Sequence, residues 1–325
     1  MLFRNALSLV SPAGRRGKLS ILIFHRVLAE PDPLFPDEVD AQRFDLVMGW
    51  IKEWFNVLPL DEAVERLRQG SLPARAAAIT FDDGYADNHQ VALPILQRHG
   101  LSATFFIATG FLNGGRMFND TVIETVRRCQ KPLLDLTPLG FGQYDLRSLE
   151  ARRQAIPALL NQIKYQPLAQ RLETVHVIAE IANVDLPNDL MMTAQQVKAL
   201  HQAGMGIGAH TVHHPILARL DTGEAEREIA DSRDFLQELL CEPIKLFAYP
   251  NGKPEADYRR EHVEMAQRLG FKAAVSTAWG VTSNASDPFQ LPRFTPWERP
   301  RWRFGLGLLR NYRRTPRTCT VAPHD

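Results

Sequence analysis

Residues 76 to 84 read Ala-Ala-Ala-Ile-Thr-Phe-Asp-Asp-Gly. The stretch from Ala76 to Phe81 is nearly all apolar, as expected of a strand buried on both faces. It stops at two carboxylates and a glycine. Upstream, Leu19 to Phe24 (LSILIF) is a second run of this kind, and downstream Ala103 to Ala108 (ATFFIA) is a third. Between them, Phe44–Phe55, Leu60–Leu67 and Asp87–Arg98 carry helical spacing, the last ended by Gly100. The alternation resumes with a Gly-rich strand at Met205–Ala209 and a long, charge-paired helix at Thr222–Leu240. A strand at Lys245–Ala248, a helix reaching Leu269, a strand at Lys272–Ser276 and a closing strand at Phe289–Phe294 complete the series. Repeated strand–helix units predict an α/β protein with a parallel sheet and helices outside it. Ligands in such sheets bind at the carboxyl ends of the strands.

The chain has 325 residues, 45% of them hydrophobic, and a formal net charge of +1. That is ample for a large core, too apolar for disorder, and offers no global field for nucleic acid. Cys129, Cys241 and Cys319 stand far apart, so neither a disulfide framework nor a zinc knuckle is expected, which leans toward a reducing compartment. No apolar run approaches the roughly 20 residues of a membrane span. The start, Met1 to Val10, is interrupted by Arg4, Asn5 and Ser8, and reads as a short amphipathic helix rather than a signal peptide. Residues 119–190 break the alternation. They look helical, with a hairpin near Leu133–Tyr144, and form an insertion between two strands of the sheet. The expected organisation is an extension over 1–17, a barrel over 18–296 and a tail over 297–325. Between Arg299 and Arg317 the tail holds seven arginines and no acid, interleaved with Trp302, Phe304, Leu306, Leu308, Leu309 and Tyr312.

Three places carry chemistry. Side chains alternate along an extended chain, so Asp82 and Asp83 point to different places; one can bind a cation while the other stays free as a base. His210-Thr-Val-His-His-Pro215 follows the Gly-rich strand. On one helical turn, His210 and His214 would share a face and suit a single metal, with His213 pointing elsewhere. Together with Asp83 they make a two-histidine, one-carboxylate set. Zinc hydrolases and iron(II) oxygenases both use such a set; a spare carboxylate at Asp82 is what metal-assisted hydrolysis needs. His25 ends the first strand and therefore belongs on the same face.

These motifs resemble the polysaccharide deacetylase family, which shares the NodB homology domain and is grouped with carbohydrate esterase family 4. Thr80-Phe-Asp-Asp-Gly84 matches its first motif and His210-Thr-Val-His-His-Pro215 its second. The resemblance, over about Lys18 to Pro296, implies a distorted (β/α) barrel, here with a largely helical insertion. It implies Asp82 as base and Asp83, His210 and His214 as ligands of one divalent ion, zinc. It also implies an N-acylated glycan as substrate. The third motif, R-x-P-Y-G, is represented by Ala248-Tyr-Pro-Asn-Gly252. Ala248 replaces the arginine and Asn251 the tyrosine, while the Asn251 N–H can still serve an oxyanion and Tyr249 stands beside it as support. Arg293 is the candidate for the arginine that holds the catalytic aspartate. The family's tryptophan-bearing fourth motif is absent, and so is its L-x-H motif; His25 is the candidate general acid in its place.

The reaction expected is removal of an N-acetyl or similar N-acyl group from an amino sugar, with a lipid-linked precursor among the candidate substrates. A non-catalytic sugar-binding barrel and an iron(II) oxygenase are the competing readings; both leave Asp82 idle. The basic, aromatic tail suggests peripheral contact with an anionic membrane and a cytoplasmic enzyme, with no nucleic-acid partner.

Overall fold

The computed structural model describes residues 2–296 and 298–320; positions 297 and 321–325 of the expected tail lie outside the described residues. Strands β1 (Leu19–Phe24), β2 (Asn56–Val57), β3 (Ala76–Phe81) and β4 (Thr104–Ile107) form the first half of a parallel sheet. After the hairpin β5 (Leu133–Asp135) and β6 (Gln143–Asp145), β7 (Gly206–Ala209), β8 (Leu246–Ala248) and β9 (Ala273–Val275) complete it. The order is β1-β3-β4-β7-β8-β9, with β2 beside the start of β3. Every residue of β1 and β3 is buried, as their nearly all-apolar sequences lead one to expect. At β7 glycine is needed for close packing: a Cβ on Gly208 would stand 2.5 Å from the Phe106 ring of β4.

The expected closing strand at Phe289–Phe294 is an irregular stretch that nonetheless bonds to both sheet edges. Leu291 pairs with Val275 of β9 and Phe294 with Leu22 of β1. Pro292 supplies no N–H and the Arg293 N–H turns to Ala278 O (2.9 Å), so no regular ladder forms. These bonds curl the sheet into a distorted barrel.

Helices cover the outside: α1 (Leu2–Val10), α2 (Ala41–Trp54), α3 (Leu60–Gln69) and α4 (Leu93–His99), then, after the insertion helices, α8 (Ala194–Gln202), α9 (Thr222–Leu240), α10 (Arg260–Arg268) and α11 (Arg301–Asn311). Their ends follow local chemistry. Asp40 caps α2 through the Arg43 N–H (2.7 Å), and Thr193 and Gln196 form a capping box on α8. Gly70 and Gly100 take left-handed conformations after α3 and α4. The segment before α4 opens as a π-helical turn, Asn88–Ala92.

The insertion holds α5 (Phe118–Arg128), the β5–β6 hairpin, α6 (Leu149–Ile163) and α7 (Leu168–Ala182) between β4 and β7. It has its own core, with Val122, Leu134, Ile156, Leu159 and Ile178 all buried. Helices α1 and α11 pack on the barrel. Leu7 of α1 and Phe304 and Leu308 of α11 are fully buried, each apolar side chain contributing about 1.5–3 kcal/mol. The two helices meet where the Phe3 ring lies against Gly305, within 2.6 Å of where a Cβ would stand. No helix of the described residues is long and apolar enough to cross a membrane, and the three cysteines are free.

Candidate active site

The polar residues singled out in the sequence gather where β1, β3, β7 and β8 end. There a cavity of about 310 Å³ is lined by His25, Asp82, Asp83, His210, His214 and Asn251. Met117, Phe118, Leu160, Asn161, Lys164 and Arg171, in and beside the insertion, complete its lining.

Asp82 and Asp83 do diverge. Asp82 meets Arg293 in a two-pronged pair, Nη1–Oδ1 and Nη2–Oδ2 both 2.6 Å. Arg293 has no exposed surface; its Nε donates to Ser276 O (2.9 Å) and its Nη1 also to Thr80 Oγ1 (3.2 Å). Burial alone would push the Asp82 carboxyl up, but Arg293 foremost, then His210, outweigh it and hold it below the usual carboxylate range. The arginine missing at Ala248 is thus replaced in space by one 45 residues further along.

Asp83 turns the other way, through a backbone φ of 77°. Its Oδ1 stands 3.4 Å from Nε2 of His210 and 3.4 Å from Nε2 of His214. Oδ1 is buried and meets no hydrogen-bond partner among the described residues, an arrangement that costs free energy unless a cation takes up the lone pair. Ligand atoms about 2.1 Å from a tetrahedral zinc stand about 3.4 Å from one another, so the donor set fits one such ion. The His210 Nδ1–H donates to Ala248 O (2.8 Å), which leaves the Nε2 lone pair facing Asp83 and His214. Burial against polar neighbours of both signs pushes His214 down to about 4, so its imidazole is neutral at pH 7, as a ligand must be. Asp83 is held low: burial opposes its charge, and His210, His214 and His25 overcome that opposition.

The convergence of His210 and His214 does not come from a helical turn, as the four-residue spacing suggested. Residues 210–216 are irregular, and the loop is bent by left-handed conformations at Thr211 (φ 63°) and His214 (φ 50°). Such a conformation is rare for a β-branched residue. Thr211 Oγ1 donates to His210 O (2.5 Å) and accepts the His214 N–H (3.1 Å), and Glu228 of α9 receives the N–H groups of Val212 and His213. Four of the nine positive-φ residues other than glycine among the described residues, Asp83, Thr211, His214 and Asn251, belong to this site; strain of this kind gathers at functional sites. His213 points away, its Nδ1 2.7 Å from Glu228.

His25 is exposed and lines the cavity with Asp82, on the barrel face that the sequence assigned to it. Asn251 lines it too, and its N–H meets no acceptor among the described residues. Tyr249 stands behind the site rather than in it. Its side chain is fully buried, stacked on Tyr258 at 3.9 Å, with its hydroxyl donating to Phe289 O (3.0 Å). One residue past β8, the alternation of the backbone turns it into the core, so it supports the fold behind the site and touches nothing in the cavity. Sequence reasoning missed Thr80, Ser276 and Ala248 as partners of Arg293 and His210, and missed the insertion residues of the wall. The former act through a hydroxyl or a backbone oxygen, and the latter carry no motif.

A family model described as polysaccharide deacetylase matches residues 69–132 and 169–274, together just over half of the chain. The unmatched gap falls on the hairpin and α6 of the insertion. YxkH of Bacillus subtilis (strain 168), assigned there as a polysaccharide deacetylase, is 22% identical over 278 residues, 85% of this chain and 70% of its own length. Among solved structures, the deacetylase PplD of Streptococcus pyogenes shares the fold with a TM-score of 0.60 at 23% identity, covering 90% of this chain and 97% of its own. IcaB of Ammonifex degensii shares it with a TM-score of 0.55 at 16% identity over 93% and 98% of the two chains. With both motifs in place and this match, the chain belongs to the polysaccharide deacetylase family, and the activity that membership implies is that of an N-deacetylase hydrolase.

Proposed function

We propose that the chain hydrolyses the N-acetyl group of an amino sugar within a glycan, with one divalent ion, zinc, held by Asp83, His210 and His214. The observation that carries this reading is Asp82: a buried carboxylate, clamped by Arg293, beside a three-donor set it does not join. A divalent ion bound there supplies Lewis acidity, polarising the acyl carbonyl and lowering the pKa of bound water to about 7. Asp82 accepts the proton of the attacking water; its depressed pKa makes it a weak base, so it depends on that acidity. Arg293 keeps its two oxygens in fixed positions. The Asn251 N–H donates to the oxygen that gains charge in the tetrahedral state. His25, exposed to solvent for reprotonation, gives a proton to the departing amine.

A lipid-linked glycan precursor at a cytoplasmic membrane face extends the same reading. Its support is α11, which buries Phe304 and Leu308 but leaves Trp302 56% exposed beside Arg303, and α1, whose Leu9 is 85% exposed. Acetate release by the full-length, metal-loaded protein, across N-acetylated glycans that include lipid-linked ones, tests the proposal, with Asp82→Asn as the control. Loss of about 10²–10⁴-fold in turnover with the ion retained is expected for that variant. Glycan binding without release from any substrate would leave a sugar-binding barrel, and oxygen uptake would leave an iron(II) oxygenase.

A further inference from the structure

The cavity that holds the aspartates and histidines is also lined by Lys164 and Arg171. Arg171 is 5% exposed, yet no carboxylate pairs with it among the described residues. Its Nε has no hydrogen-bond partner, and its Nη1 makes one long bond, 3.3 Å, to Lys164 O. The guanidinium lies over the Phe118 ring at 4.3 Å, which fixes its plane. Burial pulls its pKa down and no neighbouring acid restores it. A buried arginine without an anion is costly, and proteins pair such groups or use them. Lys164, half-buried, forms no ion pair among the described residues, its Nζ lying 5.8 Å from the Tyr165 ring centre.

The surroundings favour negative charge. Arg171 is in the first turn of α7, a 15-residue helix with no acid in that turn and no side-chain cap on its first N–H groups, so the positive end of the helix adds to the two cations. A groove of about 970 Å³ runs from the cavity past that helix end, sharing Lys164, Arg171 and Ile216 with it. Glu224, Glu228 and Asp231 line the groove from α9, with Arg219 and Arg227 beside them, whereas the cavity itself holds no acid but Asp82, taken by Arg293, and Asp83, which faces the histidines. The anion position is therefore at the cavity end.

We infer that Lys164 and Arg171 form an anion subsite, so that the substrate is an N-acylated sugar bearing a phosphate or carboxylate group near the acyl group. This rests on the deacetylase reading for the reaction but not for the binding. The guanidinium plane offers free N–H donors to two oxygens of either oxyacid. Lys164 adds a point charge. The insertion thus selects the substrate, while the barrel supplies the chemistry.

Calorimetric titration of the full-length protein with N-acetylglucosamine 1-phosphate, with a disaccharide carrying a uronate, and with the neutral methyl glycoside tests the inference. Either anionic ligand should bind at least about tenfold more tightly than the neutral one, with an affinity that falls as salt rises; which of the two binds identifies the group. Arg171→Met, which keeps the aliphatic stem but removes the guanidinium over Phe118, should erase that preference, bringing anionic binding down to the neutral level. Its melting temperature should hold or rise, because an unpaired buried charge is gone. Lys164→Met should weaken the preference alone. Equal binding of charged and neutral ligands, or equal loss of both in a stably folded Arg171→Met, would overturn the subsite. Arg171-dependent anion binding without hydrolysis would uphold the subsite and count against the deacetylase reading only.

Discussion

Replacing Arg293 by methionine probes the pair on which the proposed chemistry depends. The side chain keeps its apolar stem but loses the charged guanidinium, leaving Asp82 buried, its side chain 3% exposed, with no cation at 2.6 Å. Breaking one partner of a buried pair typically costs about 3–5 kcal/mol. Unfolding entropy is about 2.1 cal/mol/K per residue, so for 325 residues a loss of about 4 kcal/mol lowers the melting temperature by about 6 °C. The pH dependence has a definite sign. With Arg293 present, Asp82 is held below its ordinary value, so its stabilisation is in place above about pH 4 and is lost as pH falls through the lowered value. Without Arg293, burial raises the carboxyl. Its contribution is then complete below about pH 4 and lost as pH rises through the raised value. The gap in melting temperature between the two proteins should therefore widen from pH 5 to pH 8. Adding Asp82→Asn to Arg293→Met removes the stranded charge and should recover part of the loss. Thermal unfolding by circular dichroism at several pH values measures all of this. A drop under about 1 °C, a gap independent of pH, or a double variant no better than Arg293→Met would refute the buried-charge account.

Other expectations follow from the same geometry. Asp83→Ala, His210→Ala and His214→Ala should each abolish tight binding of one divalent ion, read by calorimetry with zinc; a variant binding as the parent does would remove that residue from the ligand set. His25→Ala should lower kcat by about 10²-fold with metal content unchanged, and a normal kcat would exclude it as the acid. The full-length protein should float with vesicles containing anionic lipid at low salt and release them at high salt, since each arginine near the surface contributes about 1 kcal/mol; equal failure with neutral and anionic vesicles would favour a protein that does not bind membranes through α11.

The sequence by itself determined the sheet and its chemistry-bearing end. Short, nearly all-apolar runs bounded by turn residues suit strands covered on both faces, and each of the runs at β1, β3 and β4 is one. Because the pattern is local, the positions of His25, Asp82, Asp83 and His210 at strand ends were legible as well. Tertiary structure decided everything that depends on residues far apart in the chain. Arg293 reaches Asp82 across 211 positions, and it does so because the stretch around Pro292 bonds to both β9 and β1. His210 and His214 converge through left-handed loop conformations and the carbonyl of Ala248, and neither a backbone angle nor a backbone oxygen can be read from residue type. Tyr249 looked like a neighbour of the reaction and turned into the core, since one step along an extended backbone reverses the side chain. The insertion's cations gained meaning only when folding set Arg171 against Phe118 in the cavity wall, because a buried arginine and a solvated one are the same letter in a sequence and differ only in what surrounds them.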